Sequence, residues 1–249
     1  MKNDFKKERT WLVRDKYAGL DIPEALALDL ARLKSGEPLD YIIGWKPFLG
    51  CQIDLSFRPL IPRDDTEFWV EKAIEDVKSF SGKTGPKVLD IFAGSGCVGL
   101  AVLKNCPGAK VDLAEKSAKQ IEQIELNLKM NKLRGKVFRS NIFSGVAGKY
   151  DFILANPPYV PAGRKLSRAV SDFEPKAALF SGPDGLRTIK KFLHEAPSRL
   201  NKGGTLYMEF DSGQKRALEK IFKLDGWLDA EFFRDGQGRW RYLIAKRGK

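Results

Sequence analysis

The chain holds one histidine, His194, which excludes any chemistry that needs two or three imidazoles as metal ligands or as a relay. Cysteine is scarce too. Cys51, Cys97 and Cys106 form neither an even set nor a C-x-x-C pair, which argues against a disulfide framework or a structural zinc site and suits a reducing compartment. No apolar run approaches the roughly 20 residues of a membrane-spanning helix. The opening Met1-Lys2-Asn3-Asp4-Phe5-Lys6-Lys7 lacks a hydrophobic signal core. Low-complexity tracts and internal repeats are missing as well. What is present is a chain of 249 residues, 43% apolar and 31% charged, enough for one large domain with a small appendage. The expectation is a monomeric cytoplasmic protein with no metal and no membrane association.

Acidic residues are outnumbered. Lys plus Arg is 44 against 32 for Asp plus Glu, a formal charge of +12. Between positions 129 and 168 stand nine basic residues (Lys129, Lys132, Arg134, Lys136, Arg139, Lys149, Arg164, Lys165, Arg168) and one acidic residue, Asp151. Lys246, Arg247 and Lys249 add a basic cluster near the end. Such a field attracts nucleic acid or an acidic protein surface, so RNA contact is one expectation and a plain solvated surface the other.

Apolar spacing predicts two short helices over 4–35, with Pro23 in a first turn, and a break at Gly36-Glu37-Pro38. A hairpin is expected over 47–55, a helix from Asp64 or Asp65 to Val77, and a polar linker over 79–86. From Lys87 strands alternate with helices. Strands are expected over 88–92, 109–114, 150–155, 204–210, 228–233 and 241–245, and helices over 97–105, 118–130, 185–200 and 214–222. In the helix over 118–130, Ile121, Ile124 and Leu128 share one side. This order predicts an α/β fold, a doubly wound, mostly parallel, seven-stranded Rossmann-like sheet closed by an antiparallel hairpin. The expected division is a short helical segment over 1–36, a hairpin-and-helix connection over 37–82 and the sheet domain over 83–249.

Two turns carry chemistry. In Asp90-Ile91-Phe92-Ala93-Gly94-Ser95-Gly96-Cys97-Val98-Gly99, the glycines at 94, 96 and 99 satisfy G-x-G-x-x-G between a strand and a helix. A dinucleotide pyrophosphate wants an amide-rich, uncharged mouth, whereas Asp90 places a carboxylate there. S-adenosylmethionine carries an ammonium and a sulfonium and no phosphate, so Asp90 favours that cofactor over NAD. Glu115, at the end of the next strand, offers acceptors to two ribose hydroxyls. Asn141 and Ile142, after the third strand, are placed for the adenine edge and face.

The second turn is Asn156-Pro157-Pro158-Tyr159, at the carboxyl end of a buried strand, where open α/β sheets bind ligands. The prolines fix their own φ and hold the preceding residues extended. Pro158 has no N–H, which leaves the Pro157 carbonyl free to accept, beside the Asn156 side-chain oxygen. Two converging acceptors can hold both hydrogens of a planar NH2 group and favour the positive charge that develops as a methyl arrives. Tyr159 can stack on that group. A stiff strand exit is the bland alternative.

Gly36-Glu37-Pro38-Leu39-Asp40-Tyr41-Ile42-Ile43-Gly44, Leu60-Ile61-Pro62-Arg63-Asp64-Asp65-Thr66-Glu67, the glycine turn and Asn156 to Tyr159 occur in the order seen in the protein-(glutamine-N5) methyltransferases. The type acting on peptide chain release factors is the closest in pattern. Phe173-Glu174-Pro175, Ala178-Leu179, Gly182, Asp184-Gly185-Leu186, Glu209 and Gln214 extend the resemblance over roughly 36–245. The resemblance implies a class I methyltransferase that methylates the glutamine amide of a Gly-Gly-Gln tripeptide, with a release factor as protein partner. It implies that Phe92, Ala93, Gly94, Ser95 and Gly96 wrap the methionine portion, that Glu115 holds the ribose, that Asn141 and Ile142 border the adenine, and that Asn156 also touches the cofactor. Asn156, with Pro157, Pro158 and Tyr159, would hold the glutamine, and Arg63 and Thr66 would stand beside the cofactor entrance. Phe92 replaces a usual glycine and Asn141 a usual aspartate, and the segment before Gly36 is shorter than the family's helical docking domain. Adenine-N6 methylation of RNA or DNA and glutamine methylation of a ribosomal protein use a similar turn and stay open. An NAD-dependent oxidoreductase, opposed by Asp90, and a silent RNA-binding relic stand further off.

Overall fold

In the computed structural model, which describes residues 5–20, 22–82, 84–223 and 227–248, the chain opens with α1 (Lys6–Trp11). That helix widens into a π-helical turn over Leu12–Lys16, a feature the apolar spacing does not announce. Asp4 and Asp21, within the first expected helices, lie outside the described residues, as do Lys83 of the linker and Lys249 of the basic end. Pro23 begins α2 (Pro23–Lys34), where its missing N–H costs nothing. The short α3 (Leu39–Ile43) leads into an antiparallel hairpin, β1 (Trp45–Phe48) with β2 (Cys51–Asp54), and then α4 (Asp64–Lys78). Within the first segment Lys16, Tyr17 and Arg32 all donate to the buried Asp29, and Glu37, paired with both Arg32 and Arg58, links that segment to the loop after β2.

Seven strands make the main sheet: β3 (Lys87–Ile91), β4 (Lys110–Glu115), β5 (Lys136–Arg139), β6 (Tyr150–Ala155), β7 (Leu200–Glu209), β8 (Trp227–Arg234) and β9 (Trp240–Arg247). Their order is β5-β4-β3-β6-β7-β9-β8. Strands β3 to β7 pair in parallel, and β9 runs antiparallel to both β7 and β8. The sheet is therefore the doubly wound, mostly parallel one expected, with its antiparallel hairpin. Winding leaves β3 toward β4 and β6 toward β7, so the switch point falls between β3 and β6, where a crevice opens at the strand ends.

Both faces of the central strands are covered, which is why β6 reads as a short apolar run. Val88, Phe152 and Leu154 face a core built with Trp69 and Val70 of α4, Val98 and Ala101 of α5 (Cys97–Asn105), and Ile124 and Leu128 of α6 (Ala118–Met130). Leu89, Ile91, Ile153 and Ala155 face the opposite core, with Ile189, Phe192 and Leu193 of α9 (Arg187–Arg199) and Leu218 of α10 (Lys215–Phe222). Between β6 and α9 the chain makes two one-turn helices, α7 (Arg168–Ser171) and α8 (Lys176–Leu179).

The inner side of α6 differs from its apolar spacing. Ile121 is only half-buried, while Gln120, Gln123 and Asn127 are buried. Gln123 Oε1 accepts from Phe57 N and Asn127 Oδ1 from Asp54 N, so the amides extend hydrogen bonding to the strand and loop of the hairpin region. Asn127 Nδ2 also donates to the Ser95 carbonyl, which ties this helix to the glycine turn.

Candidate active site

The crevice at the switch point contains a cavity of about 580 Å³. Its wall includes Asp90, Phe92, Ala93, Gly94 and Ser95 from the end of β3, Glu115 from β4, Asn141 and Ile142 after β5, Asn156 and Pro158 after β6, and Arg63 and Thr66 from the start of α4. A second cavity of about 210 Å³ adjoins it, and Leu60, Arg63, Asn156 and Ala178 line both. Tyr159 and Glu209 belong to the smaller one. Gly96 and Pro157 line neither cavity. Pro157 is buried, and no described residue donates a hydrogen bond to its carbonyl.

The glycine turn is set by packing. The Cβ of an alanine at position 99 would lie 2.7 Å from Leu113 Cδ2 and 3.1 Å from Asp90 Cβ, so only glycine lets α5 press onto β3 and β4. That approach brings the Gly99 N–H within 2.8 Å of Asp90 Oδ2. Asp90 is 2% exposed. Burial first, with the Glu115 charge adding and the Gly99 bond opposing, pushes its carboxyl up to about 7. Phe92 has φ +63°, in the left-handed region that favours glycine. Its ring is retained by an edge contact with Phe192, centroids 5.4 Å apart. Ile142 also sits at φ +58°, a second strained residue on the cavity wall.

Glu115 is more occupied than its position at a strand end suggests. Oε1 accepts from the Lys116 and Ser117 N–H groups at 2.8 Å each, and Oε2 from Gly94 N–H at 3.0 Å. A carboxylate has about four acceptor sites, so a ribose diol would share this one with the backbone rather than meet it free. Gln120, invisible as a site residue in the sequence, also lines the large cavity. Its Oε1 is buried and has no hydrogen-bond partner among the described residues. Two carboxylates, an unsatisfied amide oxygen and the apolar Ile142 suit a ligand with an ammonium, hydroxyls and a planar base, and are ill-suited to a pyrophosphate.

Arg63 is paired with Glu174, whose other oxygen accepts from Ile61 N at 3.2 Å. Glu174 is thus the residue that holds the segment before α4 over the cavity, a role its place in the sequence does not disclose. The Asn156 turn is fixed from behind. Gln214 Nε2 donates to the Tyr159 carbonyl at 2.9 Å and to the Asp184 carbonyl at 3.2 Å. Beside it Gly185, at φ +74°, packs so close that an added Cβ would lie 2.1 Å from the Tyr159 oxygen. Tyr159 itself donates to Glu209 at 2.9 Å. Burial first and the Glu209 charge second hold its phenol well above the ordinary range, so it serves as a donor and not as a base.

A model of the methyltransferase small domain matches residues 77–186. A release factor glutamine methyltransferase of Thermodesulfovibrio yellowstonii is 35% identical over 88% of this chain and 79% of its own length. One from Geobacter sulfurreducens is 35% identical over 91% and 80%. Among solved structures, a methyltransferase from Pyrococcus furiosus superposes with a TM-score of 0.59 at 21% identity, covering 90% of this chain and all of that one, a likeness of fold.

Proposed function

From a chain that belongs to the release factor glutamine methyltransferase family, we infer that this protein carries the methyl group of S-adenosylmethionine to the side-chain amide nitrogen of a release factor glutamine, that of the Gly-Gly-Gln tripeptide. The observation that supports this most directly is Asn156, shared by the two cavities. One cavity has the size and polarity for the cofactor, and the other accepts a side chain.

The cofactor supplies an electrophilic methyl group when bound. Asp90 would face its ammonium, Glu115 its ribose, and Asn141 and Ile142 its adenine, with Phe92, Ala93, Gly94, Ser95 and Gly96 curved around the methionine portion. A glutamine amide nitrogen is a weak nucleophile because its lone pair is delocalised. Asn156 Oδ1, at the junction of the cavities, and the carbonyl of Pro157, which lines neither cavity but accepts from no described residue, would take hydrogen bonds from its two N–H groups, turn the nitrogen toward the methyl and favour the charge that grows there. Pro158 and the Tyr159 ring would wall in the flat group, and Arg63 and Thr66 would close the side between the cavities. The exposed Leu20, Ile22 and Leu28 make the segment over 1–36 the docking surface we propose for the release factor.

Incubation with methyl-labelled S-adenosylmethionine separates the acceptors. Label is expected in a release factor and not in RNA, and label in RNA adenine with none in the release factor would favour the nucleic-acid reading. Addition of the cofactor or its demethylated product should raise Tm, and NADH should not.

A further inference from the structure

We propose that Glu209, acting through Thr66, fixes which way round the Asn156 amide sits, and so turns its oxygen toward the methyl acceptor. The inference rests on the glutamine-methylating reading above. An asparagine and its flipped form put nitrogen and oxygen in nearly the same places, so only their partners decide between them.

Glu209 ends β7 and is 1% exposed. A carboxylate offers acceptors only, and here three donors meet it. Trp69 Nε1 and Thr66 Oγ1 donate to Oε2 at 2.8 and 2.6 Å, and Tyr159 donates to Oε1. Thr66, 2% exposed, owns a single hydroxyl proton, and that proton is committed to Glu209. Toward Asn156 the Thr66 oxygen can therefore only accept, and it receives Nδ2 at 3.2 Å. The chain of bonds has one direction, from amide through hydroxyl to carboxylate. It leaves Asn156 Oδ1, which no described residue reaches with a donor, as the free end at the junction of the cavities. A flipped amide would set oxygen against oxygen at Thr66 and NH2 against the NH2 of the incoming glutamine. Glu209 and Thr66 are thus positioning residues for Asn156.

The test is steady-state methylation of a release factor by Thr66→Val, which keeps the shape and removes the hydroxyl, and Thr66→Ser, which keeps the hydroxyl and removes a methyl. Thr66→Val is expected to lower kcat by at least about tenfold, the scale of a lost transition-state hydrogen bond, with smaller changes in KM and in cofactor Kd. Thr66→Ser should recover most of the loss. A packing role would give the reverse order, since valine fills the site and serine leaves a gap. In an Asn156→Asp background, where both ends of the side chain are oxygens, Thr66→Val should cost little. If Thr66→Val does not fold, Thr66→Ala carries the same expectation. A wild-type kcat for Thr66→Val, an equal loss for Thr66→Ser, or an undiminished cost in the Asn156→Asp background would each overturn the proposal. Wild-type protein is the control for the function itself. Its failure to methylate sinks that reading, whereas an active wild type with an indifferent Thr66→Val sinks only this one.

Discussion

In the proposed site the Asp90 carboxylate faces the cofactor ammonium, so its protonation would oppose binding. Its folded pKa is raised from 3.8 to about 7, so the folded chain binds its proton more readily than the unfolded chain does. Its contribution to stability is complete below pH 3.8 and is lost as pH rises through about 7. Denaturation of the free protein across that window should show this decline, and Asp90→Asn should remove it. A cationic cofactor favours the ionised form, so its affinity should rise with pH up to about 7 and then level off, as calorimetric titration would record. For Asn156→Ala, kcat should fall by about a hundredfold or more while cofactor Kd holds, because the lost bond is to the acceptor. The acidic mouth and the proline-stiffened turn could be read from the sequence because each follows from residue type at a strand end. Glu174 and Glu209 extend the resemblance but their roles could not be read, since each acts on a partner far away in the chain, and Gln120 gave no signal at all. Glu209 meets Thr66 across 143 residues, and Ile61 meets Glu174 across 113.

Elements position these residues, and their boundaries follow local rules where the chain is regular. The strand over Tyr150–Ala155 and the helices over Cys97–Asn105 and Ala118–Met130 lie where apolar run length and spacing put them. The inner face of α6 does not follow the aliphatic pattern, because the buried Gln123 and Asn127 amides accept from backbone of the hairpin region, a contact no periodicity encodes. Beta7 begins at Leu200 rather than 204, since its first residues pair with Tyr150 across an irregularity in the register. The loop between Tyr159 and α9 is held by backbone bonds of Val160 to Leu179 and Ser181 and of Ala162 to Gly182, and by the Gln214 side chain, and at Gly185 it presses on the Tyr159 carbonyl. Gly185→Ala should strain a backbone at φ +74° and push the Tyr159 carbonyl away. Activity should fall together with a loss of stability of about 1–3 kcal/mol, measured by chemical denaturation. An unchanged Tm with unchanged kcat would show that the turn tolerates displacement.

At the scale of the whole molecule, a parallel sheet with a switch point between β3 and β6 dictates where a ligand can lie, and the two adjoining cavities dictate what passes between them. Of the nine basic residues between 129 and 168, Lys149 stands exposed just before β6 and the other eight divide between two places. Lys129, Lys132, Arg134, Lys136 and Arg139 stand exposed on the end of α6 and around the edge strand β5, while Arg164, Lys165 and Arg168 are exposed on the segment after the Asn156 turn. Arg164 is already paired with Asp211. The central claim, that paired oxygens after β6 hold a glutamine amide for methylation, is tested most directly by mass spectrometry of a release factor after incubation with the protein and S-adenosylmethionine. The expected result is one added methyl, localised to the side-chain nitrogen of the Gly-Gly-Gln glutamine and absent with Asn156→Ala. A methyl on another residue, or the same methyl from Asn156→Ala at the wild-type rate, would contradict it.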